Sequence, residues 1–279
     1  MRTLILGSKG QLGTAFTLYF KDKGWECFGV DADELDITNL NALMDLMNAY
    51  RPGLLLNCAA YNLVDKAETD QVAAFNVNVK GPRNLAIAAS QIETKIVHFS
   101  TDYVFDGKKR KPYTEQDETS PLNVYGQTKL LGEKAILGIA MAAVFRLSWL
   151  YGGEKQNFVG KVLDWAGRGE TLRIADDEIS VPTYTEDVVK AVMKAMELGL
   201  FGLWHMPGNG FCSRFEWAKE ILRLKGLDTE IVPAKTADFK PAAERPGYSV
   251  MTGAALESET GFRMPDWRDS LAAFMKKKS

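Results

Sequence analysis

The sequence predicts a doubly wound α/β protein, a parallel sheet with helices on both faces and a smaller C-terminal lobe. Three observations predict it. Short apolar runs alternate with amphipathic stretches through the N-terminal half, an order that argues for parallel strands joined by right-handed crossovers. The first apolar run ends in a glycine loop that opens at once into a helical pattern. Beyond Trp149 the alternation weakens, and Gly and Pro punctuate shorter segments.

Taken in order, residues 3–6 are the first strand and the loop GSKGQLG follows, with an amphipathic helix at 11–23. A second strand, 26–30, ends in Asp31, and a helix cap is expected at Thr38 or Asn39. Residues 54–57 make a third strand that runs into Cys58, Ala59, Ala60 and Tyr61. A long helical pattern at 70–91 carries Ala73, Ala74, Val77, Leu85, Ile87 and Ala88 towards a core. The strand at 95–99 opens into Ser100, Thr101 and Asp102, a helix bears Tyr125 and Lys129, and a strand at 143–147 follows. In the C-terminal part, helices are expected at 157–168 and 214–225 and strands at 171–174 and 202–206. A further helix opens near Thr185, read as its N-cap, with Glu186 and Asp187 in the first turn. The expected division is 1–148 for the main domain, with a return segment around 179–206, and 149–178 plus 207–279 for the lobe. Of the tryptophans, Trp165, Trp204, Trp217 and Trp267 read as packing residues, and Trp149 stands apart.

Composition narrows the classes. With 34 basic and 36 acidic residues the net charge of −2 argues against a nucleic-acid footprint. The basic runs at 108–111 and 276–278 read as solvated loop and tail. Cys27, Cys58 and Cys212 are isolated, which suits a reducing cytoplasm and supports neither a disulfide framework nor a metal site. His98 and His205 sit in or beside apolar runs and read as structural. No signal-peptide pattern opens the chain, and no apolar run is long enough to span a bilayer, so a cytoplasmic protein without a membrane partner is expected.

Two stretches carry chemistry. Gly7, Gly10 and Gly13 permit a tight turn and close backbone approach to a pyrophosphate at a helix N-terminus. Asp31, at the end of the next strand, can accept hydrogen bonds from ribose hydroxyls and repel a 2′-phosphate, a lean towards NADH over NADPH. Asp36 and Ile37 fall near the adenine. The second stretch places Tyr125 and Lys129 at i and i+4 on one helical face. A lysine cation there is expected to favour the phenolate and lower the tyrosine pKa towards the range of an acid–base catalyst. Thr101 and Asp102 lie at the carboxyl end of a strand, where ligands of doubly wound sheets bind.

GxxGxxG, a strand-end Ser-Thr and Y-x-x-x-K together resemble an extended short-chain dehydrogenase/reductase with a Rossmann-type sheet. Within that superfamily the chain is similar to dTDP-4-dehydrorhamnose reductases along nearly its whole length. The resemblance rests on GSKGQLG, AAY with VDKAE (59–61 and 64–68), STDYVFDG, PLNVYGQTKLLGE, RLSWLY, VPT and Arg245-Pro246. It implies reduction of the 4-keto group of dTDP-4-dehydro-β-L-rhamnose to dTDP-L-rhamnose by NADH or NADPH, in polysaccharide biosynthesis. Tyr125 would donate the proton, Lys129 would depress its pKa and hold the nicotinamide ribose, and Thr101 would hydrogen-bond the carbonyl oxygen. Gly10, Gln11, Leu12, Asp31, Asp36, Ile37, Ala59, Ala60 and Tyr61 would contact the cofactor; Thr101, Asp102, Tyr125, Trp149 and Arg245 would contact the dTDP-sugar.

The chain departs from the family pattern twice. Asp177, Glu178 and Ser180 stand in a segment that usually reads D-Q-x-G-x-P-T, and Arg245 is the one arginine where many relatives carry two. Thr14, Ala15 and Phe16 offer no acid for the metal-linked dimer of some relatives, so no metal is expected, and a homodimer is allowed. Two alternatives stay open: another nucleotide-sugar reductase or epimerase, or a non-catalytic NADP-binding regulatory subunit of methionine adenosyltransferase.

Overall fold

The computed structural model describes residues 2–154 and 157–277, so Lys278 of the terminal basic run lies outside the described residues. The chain opens β1 (Thr3–Leu6), α1 (Gln11–Asp22), β2 (Cys27–Val30), α2 (Leu40–Tyr50) and β3 (Leu54–Asn57). Then come α3 (Val64–Ala67), α4 (Gln71–Phe75), a π-helical turn (Asn76–Lys80) and α5 (Gly81–Gln91). β4 (Lys95–Thr101), α6 (Val124–Leu137) and β5 (Ala142–Leu147) complete the N-terminal half. Beyond it lie β6 (Leu150–Tyr151), α7 (Phe158–Ala166), β7 (Leu172–Ala175), β8 (Ile179–Ser180), β9 (Thr183–Tyr184) and α8 (Thr185–Glu197). The chain ends with β10 (Gly202–His205), β11 (Cys212–Ser213), α9 (Arg214–Lys225), β12 (Ile231–Ala234), α10 (Ala254–Thr260) and α11 (Trp267–Lys277).

The main sheet has six strands in the order β10-β5-β4-β3-β1-β2, every pair parallel. Such a sheet is covered on both faces, which is why β1, β3 and β5 are buried at every residue instead of alternating. One face packs Phe16 and Phe20 of α1 with Val188, Val192 and Ala195 of α8 against Ile5, Leu56, Val97 and Phe145. The other face packs Leu43 and Met47 of α2 and Leu85 and Ala89 of α5 against Leu4, Leu55, Ile96 and Val144. The chain leaves β1 for β2 on one side and returns to β3 on the other. This reversal opens a crevice beyond the carboxyl ends of β1 and β3.

The lobe has its own core, in which Trp149, Tyr151, Trp217, Ile221, Trp267 and Phe274 meet. Its strands pair in twos, β12 with β7, β11 with β8 and β6 with β9. The return to the main sheet runs through α8 and β10, whereas Ile179 and Ser180 pair with β11 inside the lobe.

Three local expectations are corrected. Thr185 is the first residue of α8, and Tyr184 is the N-cap without a side-chain bond. The Thr185 side chain instead packs on Gly152, where a Cβ would lie 2.0 Å from its hydroxyl oxygen. Ile87 is 37% exposed rather than core, because within α5 it lies roughly 200° around the axis from Leu85, opposite the face that buries Leu85, Ala88 and Ala89. The cap of α2 is Asn39, whose side chain accepts from the Ala42 amide at 3.2 Å, and not Thr38.

Candidate active site

The glycine loop is built for close approach. Gly7 has φ +71°, and a Cβ there would lie 2.7 Å from the Ala59 amide nitrogen; one on Gly13 would lie 2.2 Å from the Gly7 carbonyl oxygen. The loop, the start of α1 and the end of β3 are therefore pressed together, with Cys58 N donating to Leu6 O at 2.9 Å. Gly10 caps α1 without a side-chain hydrogen bond, and no acid stands in the first turn. The first N–H groups of α1 and its positive dipole end are left for an anion.

Two recesses meet at Gly10 and Gln11. One, of about 580 Å³, is lined by Gly7, Asp31, Asp36, Ile37, Ala59, Ala60 and Tyr61. The other, of about 260 Å³, is lined by Gly10, Gln11, Leu12, Ala59, Ala60, Thr101, Asp102, Tyr125, Lys129 and Trp149. The two share Gly10, Gln11, Cys58, Ala59, Ala60 and Asn62 as lining residues, so one runs past the N-terminus of α1 into the other. The Asp31 carboxylate accepts from Lys9 N and Ala32 N, both at 2.8 Å, and so ties the glycine loop to the end of β2. Asp36 accepts from the Thr38 amide at 2.8 Å.

Asn123 caps α6, accepting from Gly126 N at 2.8 Å and donating to Glu244 O at 2.7 Å. Gly126 lets α6 approach the end of β4, since a Cβ would lie 2.3 Å from the Tyr103 carbonyl oxygen. Tyr125 then meets Thr101, and Lys129 lines the same cavity. Burial pushes the Tyr125 phenol up to about 12, opposed by its bond with the Thr101 hydroxyl. Burial also lowers Lys129 to about 8, against the nearby Glu133 carboxylate. The Lys129 ammonium donates to Phe99 O at 2.6 Å. The expected depression of the tyrosine pKa by Lys129 is thus corrected: the lysine faces a β4 carbonyl, and desolvation dominates the phenol.

Thr101 accepts from Tyr103 N and donates to Asp102 Oδ1, each at 3.1 Å. Asp102 is buried, and burial raises its carboxyl above the usual range while the hydroxyls of Ser249, Ser180 and Thr101 pull it back. Ser180 donates to Asp102 Oδ2 at 2.9 Å, and the Ser249 hydroxyl donates to the same oxygen. Trp149 lines the cavity at φ +41°, stacked on Trp217 at 5.7 Å. Arg245 is not among the lining residues; it pairs with Asp65 at 2.6 and 3.0 Å.

Several supporting residues escaped the sequence reading. Asn78, in the π turn, accepts from Tyr61 N at 2.9 Å and donates to Tyr61 O and Thr128 Oγ1, joining the cofactor-side loop to α6. Glu133 binds Arg146 through two hydrogen bonds of 2.9 and 2.8 Å and accepts from Ser100, in a buried cluster one turn beyond Lys129. Its i+4 spacing from Lys129 was a readable signal. Ser180 stood out as a departure from the family pattern but its bond to Asp102 did not, and Asn78 and Ser249 had no signal, because their partners are remote in sequence. Among the described residues no group of three His, Cys, Asp or Glu could hold a metal ion, and no helix is long and apolar enough to cross a membrane.

A parallel doubly wound sheet, a glycine loop at its switch point and a Thr–Tyr–Lys set beyond β4 define a dinucleotide-binding protein of the short-chain dehydrogenase/reductase type. The sequence model described as "RmlD substrate binding domain" matches residues 1–279, and the chain belongs to that family. It is 34% identical to the spore coat polysaccharide biosynthesis protein SpsK of Bacillus subtilis, covering 100% of this chain and 98% of that one. A dTDP-4-dehydrorhamnose reductase of Clostridium acetobutylicum superposes with a TM-score of 0.97 at 37% identity, covering 100% of this chain and 99% of that one. The dTDP-4-dehydrorhamnose reductase of Bacillus anthracis in complex with NADP gives 0.96 at 33% identity, with 99% of each chain covered.

Proposed function

We propose that the protein reduces the 4-keto group of dTDP-4-dehydro-β-L-rhamnose to give dTDP-L-rhamnose, using NADH or NADPH, with Tyr125 as proton donor. The convergence of Thr101, Tyr125 and Lys129 with the glycine-loop residues Gly10 and Gln11 around one cavity carries this reading. Whole-length similarity to proteins named as this reductase, one of them holding NADP, supports the substrate and cofactor classes. The main domain, through 148 with its return segment, holds the dinucleotide, and the lobe holds the sugar nucleotide.

Gly7, Gly10, Gln11, Leu12 and Gly13 hold the pyrophosphate, Asp31, Asp36 and Ile37 the adenosine, and Ala59, Ala60, Tyr61, Tyr125 and Lys129 the remainder. The nicotinamide supplies a hydride to the carbonyl carbon. Negative charge then builds on the carbonyl oxygen, and Tyr125 transfers its phenolic proton there. A phenol at about 12 remains protonated throughout the neutral range, and an alkoxide is a far stronger base than a phenolate, so the transfer runs downhill. Thr101 turns its hydroxyl from Asp102 to donate to the same oxygen, and Lys129, anchored on the Phe99 carbonyl, holds the nicotinamide ribose. Ser180 and Ser249 keep Asp102 hydrogen-bonded when Thr101 turns.

The test follows reduced-nicotinamide absorbance with the keto sugar generated in situ, NADH and NADPH in parallel, and product identified as dTDP-L-rhamnose. Tyr125→Phe should lower turnover by about 100-fold or more and leave cofactor binding intact. No oxidation of either cofactor by the wild-type protein, or near-normal turnover by Tyr125→Phe, would refute the reading.

A further inference from the structure

Next to the Thr101–Tyr125–Lys129 set lies a buried ion pair that the chemistry proposed above leaves unused. The Glu133 and Arg146 side chains are 2% and 3% exposed, and Arg146 spans both carboxylate oxygens with bonds of 2.9 and 2.8 Å. The Ser100 hydroxyl, one residue before Thr101, donates to Glu133 Oε1. On the far side Arg146 Nη1 donates to His205 Nε2 at 3.3 Å, and its guanidinium lies 5.2 Å from the centre of the Phe105 ring. Taking two charges out of water costs about as much as their attraction returns, and an apolar pair could pack α6 on β5 equally well. Stability alone does not account for the pair.

Lys129 accounts for it. It lies one turn before Glu133 on α6 and is almost fully buried. Its ammonium has three N–H groups; one goes to the Phe99 carbonyl, and two remain for ribose hydroxyls. A neutral amine has two in all, and burial favours it. Around Lys129, His98 of β4 is buried and neutral, and Cys58 beyond β3 stays a thiol because burial raises its pKa. Tyr125, on the same helix, is a neutral phenol. Among the described residues Glu133 is the one carboxylate that favours the lysine cation, and its arginine partner fixes it in place. Resting on the cofactor-binding role proposed above, we propose that Glu133 is a positioning residue of this site. It holds Lys129 as an ammonium for the ribose and, through Ser100, fixes the end of β4 that carries Thr101.

The experiment measures NADPH binding, by the fluorescence of the reduced cofactor, and kcat/KM for the keto sugar between pH 6 and 10. Wild type is compared with Glu133→Gln, which keeps the shape and removes the charge. In the wild type both readouts should weaken as pH rises through about 8, where Lys129 loses its proton. In Glu133→Gln that fall should move down by about one pH unit or more, so the ratio of variant to wild type drops about tenfold across it. Glu133→Leu combined with Arg146→Met leaves no orphaned charge; it should move the fall the same way and serves if Glu133→Gln fails to fold. A purely structural pair would lower stability and turnover at every pH and leave the fall where it is. That result would overturn the role of Glu133 while the reductase reading stands, as would wild-type NADPH binding that stays level through pH 10. A wild type whose NADPH binding shows the fall, but which reduces no keto sugar, would overturn the reductase reading alone.

Discussion

Lys129 shows how one environment sets the behaviour of a residue whose position was readable from spacing. The i,i+4 placement with Tyr125 is a property of any helix at that stretch, but the direction of the ammonium is not. Once α6 docks on β4, the closest acceptor is the Phe99 carbonyl, and burial makes the lysine a weaker base than in water. The cationic form therefore disappears as pH rises through about 8, well before the phenol titrates near 12. We expect kcat/KM for reduction to be level below that value and to fall above it, a limb set by Lys129. A pH profile with saturating cofactor checks this; Lys129→Arg, which stays cationic, should push the limb to higher pH. A profile level beyond pH 10 would contradict the lysine's role.

At the scale of elements, α6 carries Tyr125 and Lys129, and the structure fixes its start through Asn123 and its docking through Gly126. The cap bonds to Gly126 N and also to the distant Glu244 carbonyl, so it fixes the helix and the lobe segment together. Gly126 serves packing rather than an unusual backbone angle, because the Tyr103 carbonyl lies where a side chain would begin. Gly126→Ala should destabilise the protein by about 1–3 kcal/mol through overpacking. It should lower turnover by roughly 100-fold, because Tyr125 shifts relative to Thr101. Denaturant unfolding and steady-state kinetics on the same preparation measure both effects. The π turn at Asn76–Lys80 is the opposite case: the pattern at 70–91 reads as one regular helix, and only its contacts with Tyr61 and Thr128 explain the extra residue.

For the whole molecule, burial of neutral histidines couples stability to acid. Burial and the Arg146 charge lower His205 from 6.5 to about 3, and burial and Lys129 lower His98 in the same direction. Between pH 6.5 and 3 the unfolded chain binds protons that the folded chain refuses, so stability is present above 6.5 and is lost as pH falls. His205 contributes a slope of up to roughly 1.4 kcal/mol per pH unit in that window. His205→Gln should flatten the dependence of unfolding free energy on pH between 4 and 6, read by denaturant titration. An unchanged slope would exclude His205 as a source.

The sequence by itself determined the alternation of strands and helices, the glycine loop, the Thr101–Tyr125–Lys129 set and the resemblance of the whole chain to one family. These are local patterns, written in periodicity, in residues required by a tight turn, and in spacing along one helix. Tertiary structure alone decided where Lys129 points, which serines hold Asp102, and that Glu133 takes the Ser100 hydroxyl. Each of these depends on segments dozens to more than a hundred residues apart meeting at the carboxyl end of β4. Desolvation there reverses the pKa shift that spacing suggested for Tyr125, because the energy of a charge is set by what surrounds it in space and not by its neighbours along the chain.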